Sequence, residues 1–251
     1  SLPEHPIKYL GRYRTPPYAH RRFDTLFYRV TFAEAQAARI NEESELAVWL
    51  TEEEALERWE SGQLIASQPV LLALAAALHS QPAFDSERSA RGLLYAGGAA
   101  AYLPLQTMTL PPATHTNCVF ARGGEELWVV DPAPTDGAEQ AHLIAVIEAQ
   151  DTPLSGVFLT HLHHDHIGAA AAVSTHFGVP VVASERTAAD LRAGGGSGAT
   201  TGGFSLEDLP AIDRWVGEGD WIAGRWRVLE TPGHAHGHLC LFDEATRTLI
   251  A

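Results

Sequence analysis

A mixed α/β fold in which helices cover a two-sheet core is what this sequence predicts, and three observations lead there. Short apolar strands alternate with helical stretches from about residue 93 onward. A buried strand at 156–160 (GVFLT) runs straight into the cluster His161-Leu162-His163-His164-Asp165-His166. A polar stretch beginning at Gln81 separates this pattern from a first region with its own character. The expected division is a first domain at 1–85, a linker at 86–92 and a second domain at 93–251.

In the first region, 22–32 (RFDTLFYRVTF) is rich in β-formers and partly alternating, so it reads as a strand. The run 46–50 (LAVWL) reads as a second, more buried strand. Thr51 with Glu54 three residues later forms a capping box, and the helix it starts should stop at Gly62. Pro69 opens another helix that runs to about Ser80. The segment 33–45 fits helix and loop equally well.

The second region carries short strands at about 101–109, 117–121 and 126–131, with turns at Gly123-Gly124 and Asp131-Pro132. An amphipathic helix fits 136–150. After the histidine cluster come an Ala-rich helix at 167–177 and a strand at 179–183. Residues 193–203 (AGGGSGATTGG) have neither period and read as a mobile loop. Strands at about 225–231, 238–243 and 247–251 follow.

Bulk properties narrow the function. Apolar residues make up 45% of the 251, enough for a packed core, and charged residues only 19%. A formal net charge of -14 repels phosphate backbones and argues against an extended nucleic-acid surface. No apolar run reaches membrane-spanning length; 71–78 (LLALAAAL) is too short and reads as a buried helix. No signal peptide is visible. Cys118 and Cys240 read as small buried thiols of a reducing, cytoplasmic compartment. Nothing in the sequence sets the oligomeric state.

The cluster points to a metal. Side chains two apart in extended backbone face the same way, so His161 and His163 can converge on one ion. Asp165 and His166 lie where a turn would send them toward a second ion, and a helix N-terminus there tolerates the carboxylate. Gly168 and the alanines after it let that helix pack closely. A third ligand for the first ion must come from elsewhere, and Thr231-Pro232-Gly233-His234, after the strand Trp226-Arg227-Val228-Leu229-Glu230, is the obvious source. His164 reads as a neighbour rather than a ligand, and His236 as exposed. His238 reads as orienting a ligand or touching substrate. His79, His115, His142 and His176 have no motif support and read as structural.

With those residues in view, Thr160-His161-Leu162-His163-His164-Asp165-His166-Ile167-Gly168 and Thr231-Pro232-Gly233-His234-Ala235-His236-Gly237-His238 resemble the metallo-β-lactamase superfamily. Val129-Val130-Asp131-Pro132 and Thr116-Asn117-Cys118 resemble the early strands of that family. The resemblance covers about 93–251 and implies an αββα sandwich with the site at one end of the sheets. It implies that His161, His163 and His234 hold the first metal, and Asp165 and His166 the second. Histidine at 163 favours the hydrolase branch, because di-iron oxidoreductases of the family tend to carry Glu there. The family's bridging Asp and a further His would follow a strand that here, at Thr248-Leu249-Ile250-Ala251, ends the sequence. The resemblance therefore implies a C-terminally incomplete sandwich with half a ligand set for the second ion. More weakly, Thr15-Pro16-Pro17, 21–28 and 48–56 are similar to the back half of a Nudix hydrolase, without its Glu-rich catalytic box. A partial Nudix-like α/β domain without nucleotide hydrolysis is the expectation there.

The expected chemistry is hydrolysis with zinc, one or two ions, with iron or manganese as other candidates. Zinc lowers the pKa of a bound water to about 7. If the second metal is absent, Asp165 is expected to orient or deprotonate water, and His238 to donate to the oxyanion. A small ester or thioester ranks above a short RNA as substrate, since no aromatic–basic pattern for single strands is evident. Two alternatives stay open: an endoribonuclease of the β-lactamase-like protein 2 type, and a mononuclear iron oxidoreductase resembling persulfide dioxygenases.

Overall fold

The computed structural model describes residues 6–15, 21–34, 40, 42, 47–78, 84–85, 93–97, 99–110, 113–194 and 209–251. Contacts divide the chain into two compact units, Ser1–Ala90 and Arg91–Ala251.

The first unit holds strands β1 (Ile7–Arg14) and β2 (Asp24–Val30), helices α1 (Glu52–Glu60) and α2 (Gln68–Leu78), and a short strand β3 (Phe84–Asp85). The sheet runs β2-β1-β3, antiparallel on one side of β1 and parallel on the other. Arg12 and Asp24 pair across β1 and β2 through two hydrogen bonds. Both arms of the expected capping box exist: Glu54 N–H donates to Thr51 Oγ1 at 3.1 Å, and Thr51 N–H to Glu54 Oε2 at 2.9 Å. Gly62 takes φ +73 just past the helix end, a conformation glycine adopts without steric cost.

One expectation fails here. Residues 47–50 form no strand, and Val48 and Trp49 are 56% and 71% exposed. The partner of β2 is instead β1, whose glycine and three basic residues hid its strand character. Apolar β-formers signal a strand only where a sheet edge is there to receive them. Most of 33–45, and all of the expected linker, lie outside the described residues.

The second unit begins with β4 (Leu94–Gly97), β5 (Ala100–Gln106), β6 (His115–Gly123) and β7 (Glu126–Val130). Helix α3 (Gly137–Glu148) and strand β8 (Leu154–Phe158) follow, then α4 (His164–Ile167), α5 (Ala170–Phe177), β9 (Val181–Ala183) and α6 (Glu185–Arg192). The chain closes with β10 (Arg214–Trp215), β11 (Trp221–Ile222), β12 (Trp226–Glu230), β13 (Leu239–Asp243) and β14 (Thr248–Ile250). A seven-stranded sheet, β10-β9-β8-β7-β6-β5-β4, accompanies a four-stranded one, β11-β12-β13-β14. The expected mixed α/β class, with two sheets packed together and helices on the larger one, holds for this unit.

Period-two alternation explains the layers. Leu103, Phe120, Val129, Val157 and Val181 lie in one apolar cluster with Leu143 of α3, Val173 of α5 and Leu191 of α6. Their neighbours Ala121, Trp128, Val130, Phe158 and Val182 face the other way and pack on Trp226, Val228 and Leu241 of the second sheet. Each fully buried Leu, Val or Phe contributes roughly 1.5–3 kcal/mol. The sheets meet closely beside the β6–β7 turn. Trp226 Nε1 donates to Arg122 O at 2.9 Å, and a Cβ on Gly123 would lie 2.3 Å from Ala223 O.

The helix expected at 167–177 starts earlier and is broken. A single turn, α4, begins at His164, and the chain bends at Gly168-Ala169 before α5. A Cβ on Gly168 would meet Ala133 O at 2.2 Å, so only glycine lets the turn lie against 132–134. Ala169 N–H donates to Pro132 O at 2.7 Å there. The Gly-rich loop expected at 193–203 lies, beyond Gly194, outside the described residues.

Candidate metal centre

Strands β7 and β8 are parallel, and their carboxyl ends meet at one edge of the larger sheet. Ligands of open α/β sheets bind at such edges. Beyond β7 the chain places Asp131; beyond β8 it places Thr160, His161 and His163, then the α4 turn with Asp165 and His166. The β12–β13 loop, 231–238, adds His234 and His238. A backbone bond, Leu239 N–H to Thr160 O at 2.9 Å, ties that loop to the end of β8. A second tie comes from α6, whose N-cap Ser184 donates through Oγ to Gly237 O at 2.8 Å.

Three imidazoles converge. His161 Nε2 lies 3.0 Å from His163 Nδ1, which lies 3.0 Å from His234 Nε2. Tetrahedral bonds of 2.0–2.1 Å to one zinc place neighbouring nitrogens roughly 3.3 Å apart. The trio is thus near ligand spacing, and these donor types fit a divalent ion of the zinc class. His161 has its tautomer set from behind: its Nδ1 is 2.8 Å from Thr160 Oγ1, which donates to Asp131 Oδ2 at 2.6 Å. With Thr160 donating onward, the Nδ1–H donates to Thr160 and the Nε2 lone pair faces the other imidazoles.

Asp131 is the residue that sequence reasoning missed; it counted only as part of a turn. It is buried, has φ +52, and accepts from Thr160 N–H at 2.8 Å and Thr160 Oγ1. Its Oδ2 is also 2.8 Å from His166 Nδ1. Aspartate tolerates the left-handed region better than most residues because its short side chain bonds locally. An Asp closing an apolar strand ahead of a proline was the available signal.

Among the described residues two groups of at least three donors lie within 4.8 Å of one another: His161, His163 and His234; and Asp131, His161 and His166. Asp165 belongs to neither. Its Oδ2 accepts from Thr109 Oγ1 at 2.6 Å, an interaction with the β5–β6 loop that no sequence pattern announced. His238 stands with its ring centroid 5.0 Å from that of His161, and its Nδ1 is 2.8 Å from Thr231 Oγ1. His236 is exposed and borders a cleft of about 450 Å³ together with His238, Arg186, Trp215 and Glu230. His115, His142 and His176 take no part in either group; His176 pairs with Glu148 at 2.9 Å.

Electrostatics separate the histidines. Burial, then the neighbouring His166 and His163, hold the His161 pKa down to about 2. His163 is lowered by burial and by His234, against the pull of Asp165. His238 is lowered by burial, with His234 and His166 adding to it against Asp131. His166 moves the other way: burial lowers it, but Asp131 and Asp165 together outweigh that and raise it. For Asp165, burial raises the carboxyl, and the Thr109 hydrogen bond with His166 and His164 brings it below its ordinary value.

Comparison with known proteins gives the family and the fold. The model of the metallo-beta-lactamase superfamily matches residues 111–251. A hydroxyacylglutathione hydrolase of Rhizobium meliloti (strain 1021) is 31% identical over 122 residues, 47% of this chain and 41% of that protein. Hydroxyacylglutathione hydrolase GloC of Haemophilus influenzae is 34% identical over 115 residues, 44% of this chain and 52% of that protein. The chain thus spans about half or less of the length of these relatives. Among solved structures, a beta-lactamase domain protein from Burkholderia ambifaria shares the fold, with TM-score 0.50 and 22% identity over 63% of this chain and 56% of that one. Because the family match takes in more than half of the sequence, this chain belongs to the metallo-β-lactamase superfamily.

Proposed function

We propose that this chain carries the metal centre of a hydrolase that cleaves a small ester or thioester with water. The observation that carries the reading is the convergence of His161, His163 and His234, with His163 Nδ1 3.0 Å from a nitrogen of each of the other two. These three would hold one ion, and Asp165 with His166 would serve a second. When bound, a divalent ion, zinc in this reading, acidifies water and polarises a substrate oxygen.

The protein's own groups supply the rest. Burial keeps His161 neutral, so its Nε2 lone pair is available at working pH. Where only the first ion is bound, Asp165, ionised through its contacts with Thr109 and His166, orients the attacking water and takes its proton. Thr231 Oγ1 lies 2.8 Å from His238 Nδ1; in the tautomer where that hydroxyl donates to Nδ1, the ring proton sits on Nε2, and that N–H donates to the oxyanion as it forms. The thioester preference rests on the relatives named hydroxyacylglutathione hydrolases and on the net charge of -14, which disfavours a polyanion.

Residues 1–85 we read as a Nudix-like half fold with a packing role. Its helix-start glutamates are already engaged: Glu54 closes the capping box and Glu52 pairs with Arg29 at 3.2 Å. Hydrolysis of a nucleoside diphosphate derivative by this chain in Mg²⁺ would overturn that view.

The test is hydrolysis of a hydroxyacyl-glutathione thioester by zinc-loaded protein. The reading expects turnover that a chelator abolishes, that zinc restores and that His161→Ala lacks. A protein that takes up zinc and leaves the thioester intact refutes it.

A further inference from the structure

We propose that Thr109 is a positioning residue of the metal centre, holding the Asp165 carboxylate in the orientation the site uses. The inference rests on reading Asp165 as a donor to the second ion.

Thr109 lies in the β5–β6 loop, 56 residues from Asp165 in sequence. The base of that loop is closed by Thr107 N–H donating to Thr114 O at 3.1 Å, and Thr107 Oγ1 donates to Leu105 O. The β5 end is tied to α3, because Gln106 N–H donates to Glu139 Oε2 at 3.2 Å. The loop tip inverts the usual burial order. Met108 and Leu110 are 66% and 80% exposed, whereas the threonine between them turns inward to Asp165. The informative member of the three is the half-buried threonine, whose hydroxyl is committed to Asp165.

Asp165 needs such a hold. It sits in the single turn α4, whose N-cap residue His163 supplies no side-chain capping bond. A carboxylate in a first turn is drawn to the unpaired backbone N–H groups there. The Asp165 carboxyl does accept from its own backbone N–H, and a 2.6 Å hydroxyl donor from a separate loop commits Oδ2. Outer partners of metal-ligating groups act in this way, and their loss costs about 10–100-fold in metal affinity or activity.

The experiment is Co²⁺ binding by the whole chain, measured by chelator competition, for wild type, Thr109→Val, Thr109→Ser and Asp165→Asn. The proposal expects two equivalents in wild type, the weaker of them absent in Asp165→Asn. Thr109→Val keeps the shape without the donor, and should weaken that same equivalent about 10–100-fold. The tighter, three-histidine equivalent should stay unchanged, which also reports that the variant is folded. Thr109→Ser restores the hydroxyl and should stay within about twofold of wild type. If Asp165→Asn loses the weaker equivalent while Thr109→Val matches wild type, the role of Thr109 is overturned. If Asp165→Asn keeps both equivalents, or wild type binds only one, the reading of Asp165 fails and takes this inference with it.

Discussion

The two donor groups of the second unit share His161 yet are built in opposite ways. Asp131, Thr160 and His166 form a closed hydrogen-bonded lock, in which the buried carboxylate meets two donors from Thr160 and the His166 ring. The opposite charge raises the His166 pKa against its own burial, so the lock gains from protons already present. His161, His163 and His234 come from two strand ends, with only one another at the centre of the trio. Crowded imidazoles resist protonation, and His161 is driven down to about 2, chiefly by burial. The lock is complete without an ion; the trio presents lone pairs that only a cation satisfies together. The trio reads as the first-ion site, and the lock as the mount that fixes His161 and His166 behind it.

Breaking the lock should have the largest effect on stability. Asp131→Ala leaves Thr160 and His166 without their acceptor and should cost about 3–5 kcal/mol, as for other buried pairs that lose one partner. Urea unfolding of metal-free protein measures it, and the same loss is expected with zinc bound. A loss that appears only in zinc-loaded protein would make Asp131 part of the site rather than its scaffold.

Next comes the mount shared by both groups. Gly168→Ala drives a Cβ into Ala133 O and should cost roughly 1–3 kcal/mol as the α4 turn shifts. Thermal unfolding checks the stability. Weakened zinc binding in the same variant would locate the strain under Asp165 and His166.

The pH response sharpens the comparison by sign. His161 has a folded pKa below its unfolded value of 6.5, so the unfolded chain binds the extra proton. Metal-free stability is therefore full above pH 6.5 and falls below it, by up to about 1.4 kcal/mol per pH unit for this one group. His163 and His238 are lowered too and add to the trend. His166 has the reverse sign: its contribution is full below 6.5 and fades as pH rises through its raised pKa. Unfolding of chelator-treated protein across pH 5–8 should show the first trend in wild type and in Asp131→Ala, and the second in wild type alone.

Much of this was legible in the sequence because it is local. The buried strand running into 161–166 and the Pro-Gly turn before His234 are contiguous signals, and so is the Thr51–Glu54 capping box. The parts that were not legible depend on the partner. The β-rich run around Val48 and Trp49 finds no sheet edge, whereas 7–14, with three basic residues, does. Helix α6 was not read from the sequence: its composition is polar, and only Thr187, Ala188 and Leu191 form its buried face. Asp131 and Thr109 act through side chains 29 and 56 residues away, and only the fold brings those contacts together.

The account stands or falls on His234, the one member of the trio supplied by the second sheet's loop. Zinc content of purified wild type and His234→Ala, measured by elemental analysis after exhaustive dialysis, tests it directly. The account predicts loss of the tightly held zinc equivalent in the variant, with the unfolding temperature of metal-free protein unchanged or raised as the crowding is relieved. A His234→Ala protein that still carries stoichiometric zinc would contradict it.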